Sequence, residues 1–269
     1  MDEPQLPAAQ LSINVNFNNL RGKLGSAVDR YARLVSIGIQ AAQEPIREDL
    51  RMPGTGWSVS FSGAPPWSED EARQHYSAWL FATGLRDALE AFGAFLDECY
   101  DVASIMRLIR KNKETGQLLG QDWFDHQSDT GSFRQFGIDK KLKKLKPWFQ
   151  TLTTDLQESI RSINRGRNIL AHHEGSVPDS YLDENGKFRI SWIRLTLTAM
   201  GPEAREVVLG ETLKAGEGLG LLAVSEHRDF GKGERLYLQP VEFSGICWTI
   251  FTAGDAIREA LEKDWVGLQ

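Results

Sequence analysis

The stretch after Ser68 constrains the fold of this chain more than any other part of the sequence. Apolar residues recur there at steps of three and four from Phe81 to Met106, the spacing of one buried face of an α-helix. Ser68 and Glu71 have the spacing of a capping box, which marks a helix start. A helix over residues 69–111 would be roughly 65 Å long at 1.5 Å per residue. The pattern predicts the central helix of a bundle.

Weaker apolar stripes predict further helices around this central one. They cover residues 18–43 and 147–175, and a last helix begins after Ser244 as its cap. Residues 114–137 read as a loop, and Asp139 then caps a short lysine-rich helix.

Between residues 178 and 242 the apolar period changes from helical to alternating. Two triplets of alternating apolar residues predict one strand with a bulge between them. The triplets are Phe188, Ile190, Trp192 and Ile193, Leu195, Leu197. Shorter strands are predicted at residues 205–209, 221–224 and 236–238.

These patterns predict a mainly α fold, an antiparallel helical bundle with a small antiparallel β insertion before the last helix. Four parts are expected along the chain. Residues 1–66 form an N-terminal segment with the first helix and a loop, and residues 67–175 form the helical core. Residues 176–242 form the β-rich insertion, and residues 243–269 form a C-terminal helix that packs back on the bundle.

The charge of the chain is unevenly distributed. Its 31 basic and 37 acidic residues give a net charge of −6, which argues against a protein that coats nucleic acid through its overall field. Residues 134–167, however, contain nine basic and three acidic residues, so this segment is +6 and the remainder −12. One interpretation is a solvated helix face, and the other is a local phosphate-binding surface. The residues expected to bind RNA are Lys140, Lys141, Lys143, Lys144 and Arg161.

The same segment ends in a ridge of polar side chains. Arg167 falls inside the apolar stripe of its helix, and a guanidinium there must find a partner. Asn164, Asn168 and His172 follow each other at steps of four, with Arg165 alongside. In a purely structural interpretation Arg167 pairs with a carboxylate of the bundle, and His172 is a favourable cation at a helix C-terminus.

Arg167, Asn168, Ala171 and His172, followed by His173, form the pattern Arg-Asn-x-x-Ala-His. This pattern resembles the signature of the HEPN family (higher eukaryotes and prokaryotes nucleotide-binding domain), in which an arginine and a polar residue precede a histidine. The resemblance implies a HEPN-like bundle and a metal-independent endoribonuclease, a toxin or defence effector that leaves 2′,3′-cyclic phosphate ends. It implies RNA as substrate, a homodimer with the site at its interface, and possible neutralisation by a nucleotidyltransferase-type antitoxin. No metal or other cofactor is expected.

The resemblance also assigns roles to individual residues. His172 would transfer protons, Arg167 would stabilise charge on the scissile phosphate, and Asn168 would orient the imidazole or the substrate. His173, Arg165 and Asn164 are accessory candidates. His172 is five positions after Arg167, about 140° around a helix, so two copies across a two-fold axis reach one phosphate more easily than one.

Other classes of protein fit the sequence less well. A HEPN-like module that binds a nucleotide, RNA or partner without catalysis is the alternative. The sequence contains no Walker A motif, no Gly-x-Ser-x-Gly elbow and no pair of Glu-x-x-His motifs. Neither of the two cysteines lies in a CxxC motif, and no apolar run reaches 18 residues. A cytoplasmic protein without membrane contact is therefore expected.

Overall fold

The computed structural model describes residues 14–42, 68–115, 120–201, 204–208 and 210–268. Much of the expected N-terminal segment, residues 1–13 and 43–66, lies outside this part of the chain. The helices are α1 (Phe17–Ala41), α2 (Glu69–Thr115), α3 (Gly120–Arg134), α4 (Ile138–Lys144), α5 (Lys146–Phe149), α6 (Thr154–His172) and α7 (Pro240–Val266). The strands are β1 (Phe188–Met200), β2 (Arg205–Glu206) and β3 (Gly218–Phe230). The protein is thus mainly helical with one small antiparallel sheet, as the sequence predicts.

Helix α2 confirms the central helix. The backbone N–H of Ser68 donates to the Glu71 carboxylate at 2.8 Å, and the N–H of Glu71 donates back to the Ser68 hydroxyl at 3.3 Å. Both bonds of the capping box therefore form. The apolar stripe is buried from Phe81 to Met106, and α1 and α7 pack against the same helix.

Helix α7 is present, but it begins before the expected cap at Ser244. Gln239 is the N-cap residue, and its backbone N–H donates to the Glu242 carboxylate at 2.5 Å. Pro240 follows at the first helical position, which its fixed φ angle suits. Gln239 and Glu242 form a capping box with a glutamine in place of the usual serine or threonine. Because this residue pair is not the usual signal, the sequence pattern predicts a helix start that is too late.

The prediction of a loop over residues 114–137 is wrong, because most of these residues belong to helix α3. The sequence of α3 is polar, so the helix has little apolar periodicity of its own. Phe133 anchors it, since its ring stacks on that of Tyr100 in α2 with the ring centres 3.8 Å apart. The Tyr100 hydroxyl also donates to the Asp129 carboxylate at 2.5 Å. Tertiary contacts, which the sequence pattern does not show, stabilise this helix.

The helix expected over residues 147–175 is interrupted. Pro147 lies in the single turn of α5, and α6 begins afresh after Thr153. The Thr153 hydroxyl accepts the backbone N–H of Leu156 at 3.3 Å, so this threonine is the N-cap. Pro147 is the second residue of α5, so the proline marks the first turn of the shorter of two successive helices.

The sheet has the strand order β2-β1-β3, and β1 pairs with β3 antiparallel along all thirteen residues. The expected bulge between Trp192 and Ile193 is absent, because the register runs one to one through both residues. The two apolar triplets instead lie on opposite faces of a regular strand. Strand β3 extends beyond the predicted residues 221–224, and residues 236–238 form no strand, although Leu236 and Leu238 are buried.

Two side-chain hydrogen bonds hold β1 against the bundle. The backbone N–H of Ser191 donates to the Ser162 hydroxyl of α6 at 3.0 Å, and that of Ile193 donates to the Thr249 hydroxyl of α7 at 2.7 Å. The sheet therefore fixes α6 from one side while α2 and α4 contact it from the other. In the part of the chain that the structure describes, no helix is both long and apolar enough to cross a membrane.

Candidate functional site

Helix α6 separates an apolar face from a polar ridge. Ile160, Ile163 and Ile169 are fully buried. Gly166 lies against the sheet, because a Cβ atom there would stand 2.9 Å from Cδ1 of Ile190. The close contact with β1 leaves the opposite edge of α6, with its polar ridge, facing α2 and α4.

This ridge lines a cleft of about 520 Å³ between α2, α4 and α6, which we call the Arg167 cleft. The polar and charged residues that line it are Glu90, Asp97, Asp139, Lys140, Lys141, Asn164, Arg167 and Asn168. Two residues of the Arg-Asn-x-x-Ala-His pattern thus share one concave surface with one exposed lysine of the basic segment.

Two side chains in the Arg167 cleft are only partly satisfied. Asn164 is 7% exposed, and its amide forms no side-chain hydrogen bond with a described residue. Arg167 is half-buried, and its only side-chain hydrogen bond within the described chain is a long one of 3.3 Å from Nη1 to Oδ1 of Asn168. The carboxylate partner expected for a structural Arg167 is absent from the described residues. The amide of Asn164 and the guanidinium of Arg167 can therefore hydrogen-bond a polar ligand in the cleft.

Lys141 lies at the bottom of the Arg167 cleft instead of on an exposed surface. It is 5% exposed, and its Nζ is 2.7 Å from Oδ1 of Asp97 and 3.2 Å from the backbone oxygen of Gly93. Burial raises the pKa of Asp97, while the hydrogen bond from Lys141 acts in the opposite direction. Asp97 lies off the apolar stripe of α2, yet its side chain is only 19% exposed. Lys141 joins α4 to α2, and its ammonium is not available to RNA.

A second cleft of about 450 Å³ lies on the other side of α4, and we call it the basic cleft. The charged residues that line it are Asp139, Lys143, Lys146, Arg161 and Arg165. Arg165 was expected as an accessory of the Arg167 site, but the structure places it here. Its Nη2 donates to the backbone oxygen of Tyr181 at 2.7 Å.

Most cations of the basic segment 134–167 have no ion-pair partner. Among the described residues, no carboxylate pairs with Lys140, Lys143, Lys144, Lys146, Arg161, Arg165 or Arg167. The two paired members of the segment are Arg134, 2.9 Å from Asp101, and Lys141, 2.7 Å from Asp97. In the sheet, by contrast, Arg194 pairs with Glu206 and Glu226 at 2.6 Å each. Seven of the nine basic residues of the segment are therefore not compensated by an ion pair within the described chain.

The two histidines lie beyond both clefts. His172 is the last residue of α6 and is exposed, one helical turn past Asn168. His173 is also exposed, and its ring packs edge-on against that of Tyr181 at 5.8 Å. One chain thus brings together Lys140, Asn164, Arg167 and Asn168, and it does not bring His172 into the lining of the Arg167 cleft.

Sequence reasoning missed the aromatic residues that shape these surfaces. The Arg161 guanidinium lies 5.5 Å from the ring centre of Phe149, and Arg165 lies 5.3 Å from that of Tyr181. Phe149 could have been found from its place in the apolar pattern. Tyr181 lies in a one-turn 3₁₀ helix after α6, where no periodic signal marks it.

The described residues contain no candidate metal site, and comparisons with known proteins identify no relative. No group of three His, Cys, Asp or Glu residues that could hold a metal ion occurs in the described ranges. Comparisons with protein-family models, with curated proteins and with solved structures find no match. The fold and the site therefore define a mainly helical protein with a small antiparallel sheet. One positively charged face of this protein bears both clefts.

Proposed function

We propose that this protein is a metal-independent endoribonuclease of the HEPN type, with a catalytic site formed by Arg167, Asn168 and His172 at a homodimer interface. The observation that supports it is that one cleft is lined by Asn164, whose amide has no hydrogen bond with a described residue, and by Arg167, which has no ion pair with a described carboxylate. His172 lies on the same helix one turn further on. The carboxylates of Glu90, Asp97 and Asp139 line the same cleft, but none is within ion-pair distance of the guanidinium, whose fork of N–H donors matches phosphate oxygens.

The chemistry needs only these side chains and the substrate. The ribose 2′-oxygen attacks the adjacent phosphorus as it loses its proton to a base, and the bond from phosphorus to the 5′-oxygen breaks. The 5′-oxygen takes up a proton, so the products are a 2′,3′-cyclic phosphate and a 5′-hydroxyl. His172 serves the proton transfers, and Arg167 stabilises the charge on the phosphate oxygens.

A second copy of the chain completes the proposed site. Because His172 is exposed and does not line the Arg167 cleft of its own chain, one chain presents the arginine and the histidine on different surfaces. In the proposed two-fold interface Arg167 of each copy lies beside His172 of the other, since a contact between two different residues occurs twice across the axis. The roles as toxin or defence effector, the nucleotidyltransferase-type antitoxin and the cytoplasmic setting belong to the same proposal.

The test is incubation of the full chain with total RNA in EDTA. We expect cleavage by the wild-type protein and a loss of at least roughly 100-fold in Arg167→Ala and in His172→Ala. His227→Ala removes an exposed histidine from β3 and is the matched control, which should keep wild-type activity. The new 3′ ends should be one water lighter than linear phosphates by mass. Cleavage that persists in both site variants, or never appears with folded wild-type protein, contradicts the proposal.

The non-catalytic alternative has one observation in its favour, which is the absence of a hydrogen bond from a described residue to the exposed His172 ring. Nothing in a single chain holds that imidazole in a fixed orientation. If the alternative is correct, the wild-type protein binds RNA or a nucleotide without cutting it, and Arg167→Ala weakens that binding.

A further inference from the structure

We propose that the basic cleft is a second contact site for RNA, which holds the sugar–phosphate backbone of a single strand at a distance from the cleaved bond. This inference rests on the proposed function. It adds that substrate recognition and cleavage occupy different surfaces, with α4 between them.

The basic cleft carries a concentration of positive charge. Lys143, Lys146, Arg161 and Arg165 line one cleft, and Asp139 is the only carboxylate that lines it with them. None of the four cations forms an ion pair within the described part of the chain. Four like charges in one concavity repel each other, so an anionic ligand is the partner that best relieves them.

Two arginines of the basic cleft are held in place by aromatic rings. The Arg161 guanidinium lies over the ring of Phe149 at 5.5 Å from its centre, and that of Arg165 lies 5.3 and 5.4 Å from the ring centres of Tyr181 and Phe188. Such cation–π contacts restrain a guanidinium and leave N–H groups at its edge to donate. These two arginines therefore lose less conformational entropy on binding than unrestrained side chains.

The spacing of the four cations favours an RNA strand over a single small anion as the ligand. Arg161 and Arg165 are four residues apart on α6, roughly 6 Å along its axis, and Lys143 and Lys146 approach from the opposite wall. Cations distributed over this length and over two walls of the cleft suit the consecutive phosphates of a strand. From Arg165 to His172 the helix rises roughly 10 Å, which leads the strand along α6 towards the proposed catalytic histidine.

The test uses a fluorescein-labelled 12-nucleotide oligouridylate with 2′-O-methyl groups, which cannot be cleaved because it lacks free 2′-hydroxyls. Anisotropy titrations across a range of salt concentrations give Kd and its salt dependence. The double variant Lys143→Ala/Lys146→Ala should bind at least about tenfold more weakly. Its slope of log K against log salt should be shallower by roughly 1.4, since each lost phosphate contact removes about 0.7. Lys187→Ala/Lys214→Ala removes two exposed lysines outside the cleft and is the charge-matched control.

Several results would overturn the proposal. They are no binding by the wild-type protein, equal slopes in the two double variants, or uridine 5′-monophosphate binding as tightly as the 12-mer, which would indicate a site for a single phosphate. Cleavage of ordinary RNA is measured separately. If the basic-cleft variant binds more weakly but the wild-type protein cleaves no RNA, the result supports this site and contradicts the proposed function. If the wild-type protein cleaves RNA but the variant binds as tightly as the wild type, the result supports the proposed function and contradicts this site.

Discussion

The ammonium of Lys141 lies 2.7 Å from the carboxylate of Asp97, and it joins α4 to α2 directly beneath the Arg167 cleft. The side chains of Lys141 and Asp97 are only 7% and 19% exposed. The pair thus sets the distance between two walls of the cleft. Removing one partner leaves the other charge largely buried without compensation.

We therefore expect Lys141→Met to lower the free energy of unfolding by about 2–4 kcal/mol, because it strands the Asp97 carboxylate. Urea unfolding measures the change. Lys144→Met, at an exposed position of the same helix, should change it by less than about 0.5 kcal/mol. The double variant Asp97→Asn/Lys141→Met should recover part of the loss. Equal stabilities of the two single variants would mean that the pair does not hold α4.

Two glycine substitutions should change stability in opposite directions. A Cβ at Gly245 of α7 would lie 2.4 Å from Cδ1 of the buried Trp192, so Gly245→Ala should destabilise the fold by about 1–3 kcal/mol. Gly22 of α1 has no neighbour within 4 Å of such an atom, so Gly22→Ala should stabilise by about 0.5–1 kcal/mol through helix propensity. Thermal unfolding measures both. A stable Gly245→Ala variant would contradict the close contact of α7 with β1.

The sheet should make the protein sensitive to acid. Hydrogen bonds from Arg194 lower the pKa of Glu206 below its ordinary value of 4.5, and those from Arg189 lower the pKa of Asp229 below 3.8. A lowered native pKa gives stability that is present above the unfolded value and is lost as the pH falls through the folded one. The raised pKa of Asp97 acts in the opposite sense, so the sheet carboxylates must outweigh it.

We expect the unfolding free energy to fall between pH 5 and pH 3, and to fall less steeply in Arg194→Met. Urea titrations at each pH measure this slope. Lys144→Met, an exposed change outside the sheet, should keep the wild-type slope. A wild-type protein as stable at pH 3 as at pH 5 would contradict the assignment.

Both thiols should be unreactive in the native protein. Burial raises the pKa of Cys247 to about 12 and also raises that of Cys99 well above its usual range. Because the thiolate is the reactive form, we expect no labelling by a disulfide reagent at pH 8 until urea unfolds the chain, when both thiols react. Fast labelling of the folded protein would show that α2 or α7 opens locally.

The sequence was sufficient where a signal was local. The Ser68 and Glu71 capping box and the apolar stripe behind it predicted α2 correctly, because both depend only on residues near each other in the chain. Helix α3 could not be found in this way, since Phe133 gains its packing from Tyr100, which lies on another helix.

The same distinction applies to the candidate site. Asn164 and Asn168 lie on one ridge because helical spacing places them there, and the sequence predicted that part of the ridge. Arg167, placed in the apolar stripe by the same spacing, lines the same cleft, whereas His172 and Arg165 do not. The burial of Lys141 depends on Asp97, which is 44 positions earlier and on a different helix. Likewise, Arg161 and Arg165 contact Phe149 and Tyr181 and line a different cleft from Arg167, an arrangement that exists only in the folded chain.

The central claim is that Arg167 of one copy and His172 of the other act on one phosphate, and mixing two inactive variants tests it most directly. Arg167→Ala and His172→Ala, unfolded together and refolded at equal concentration, should form heterodimers as half of all dimers. Each heterodimer contains one intact composite site, so the mixture should regain about a quarter of wild-type RNA cleavage. A mixture that contains heterodimers by mass and remains as inactive as either variant alone would contradict the account.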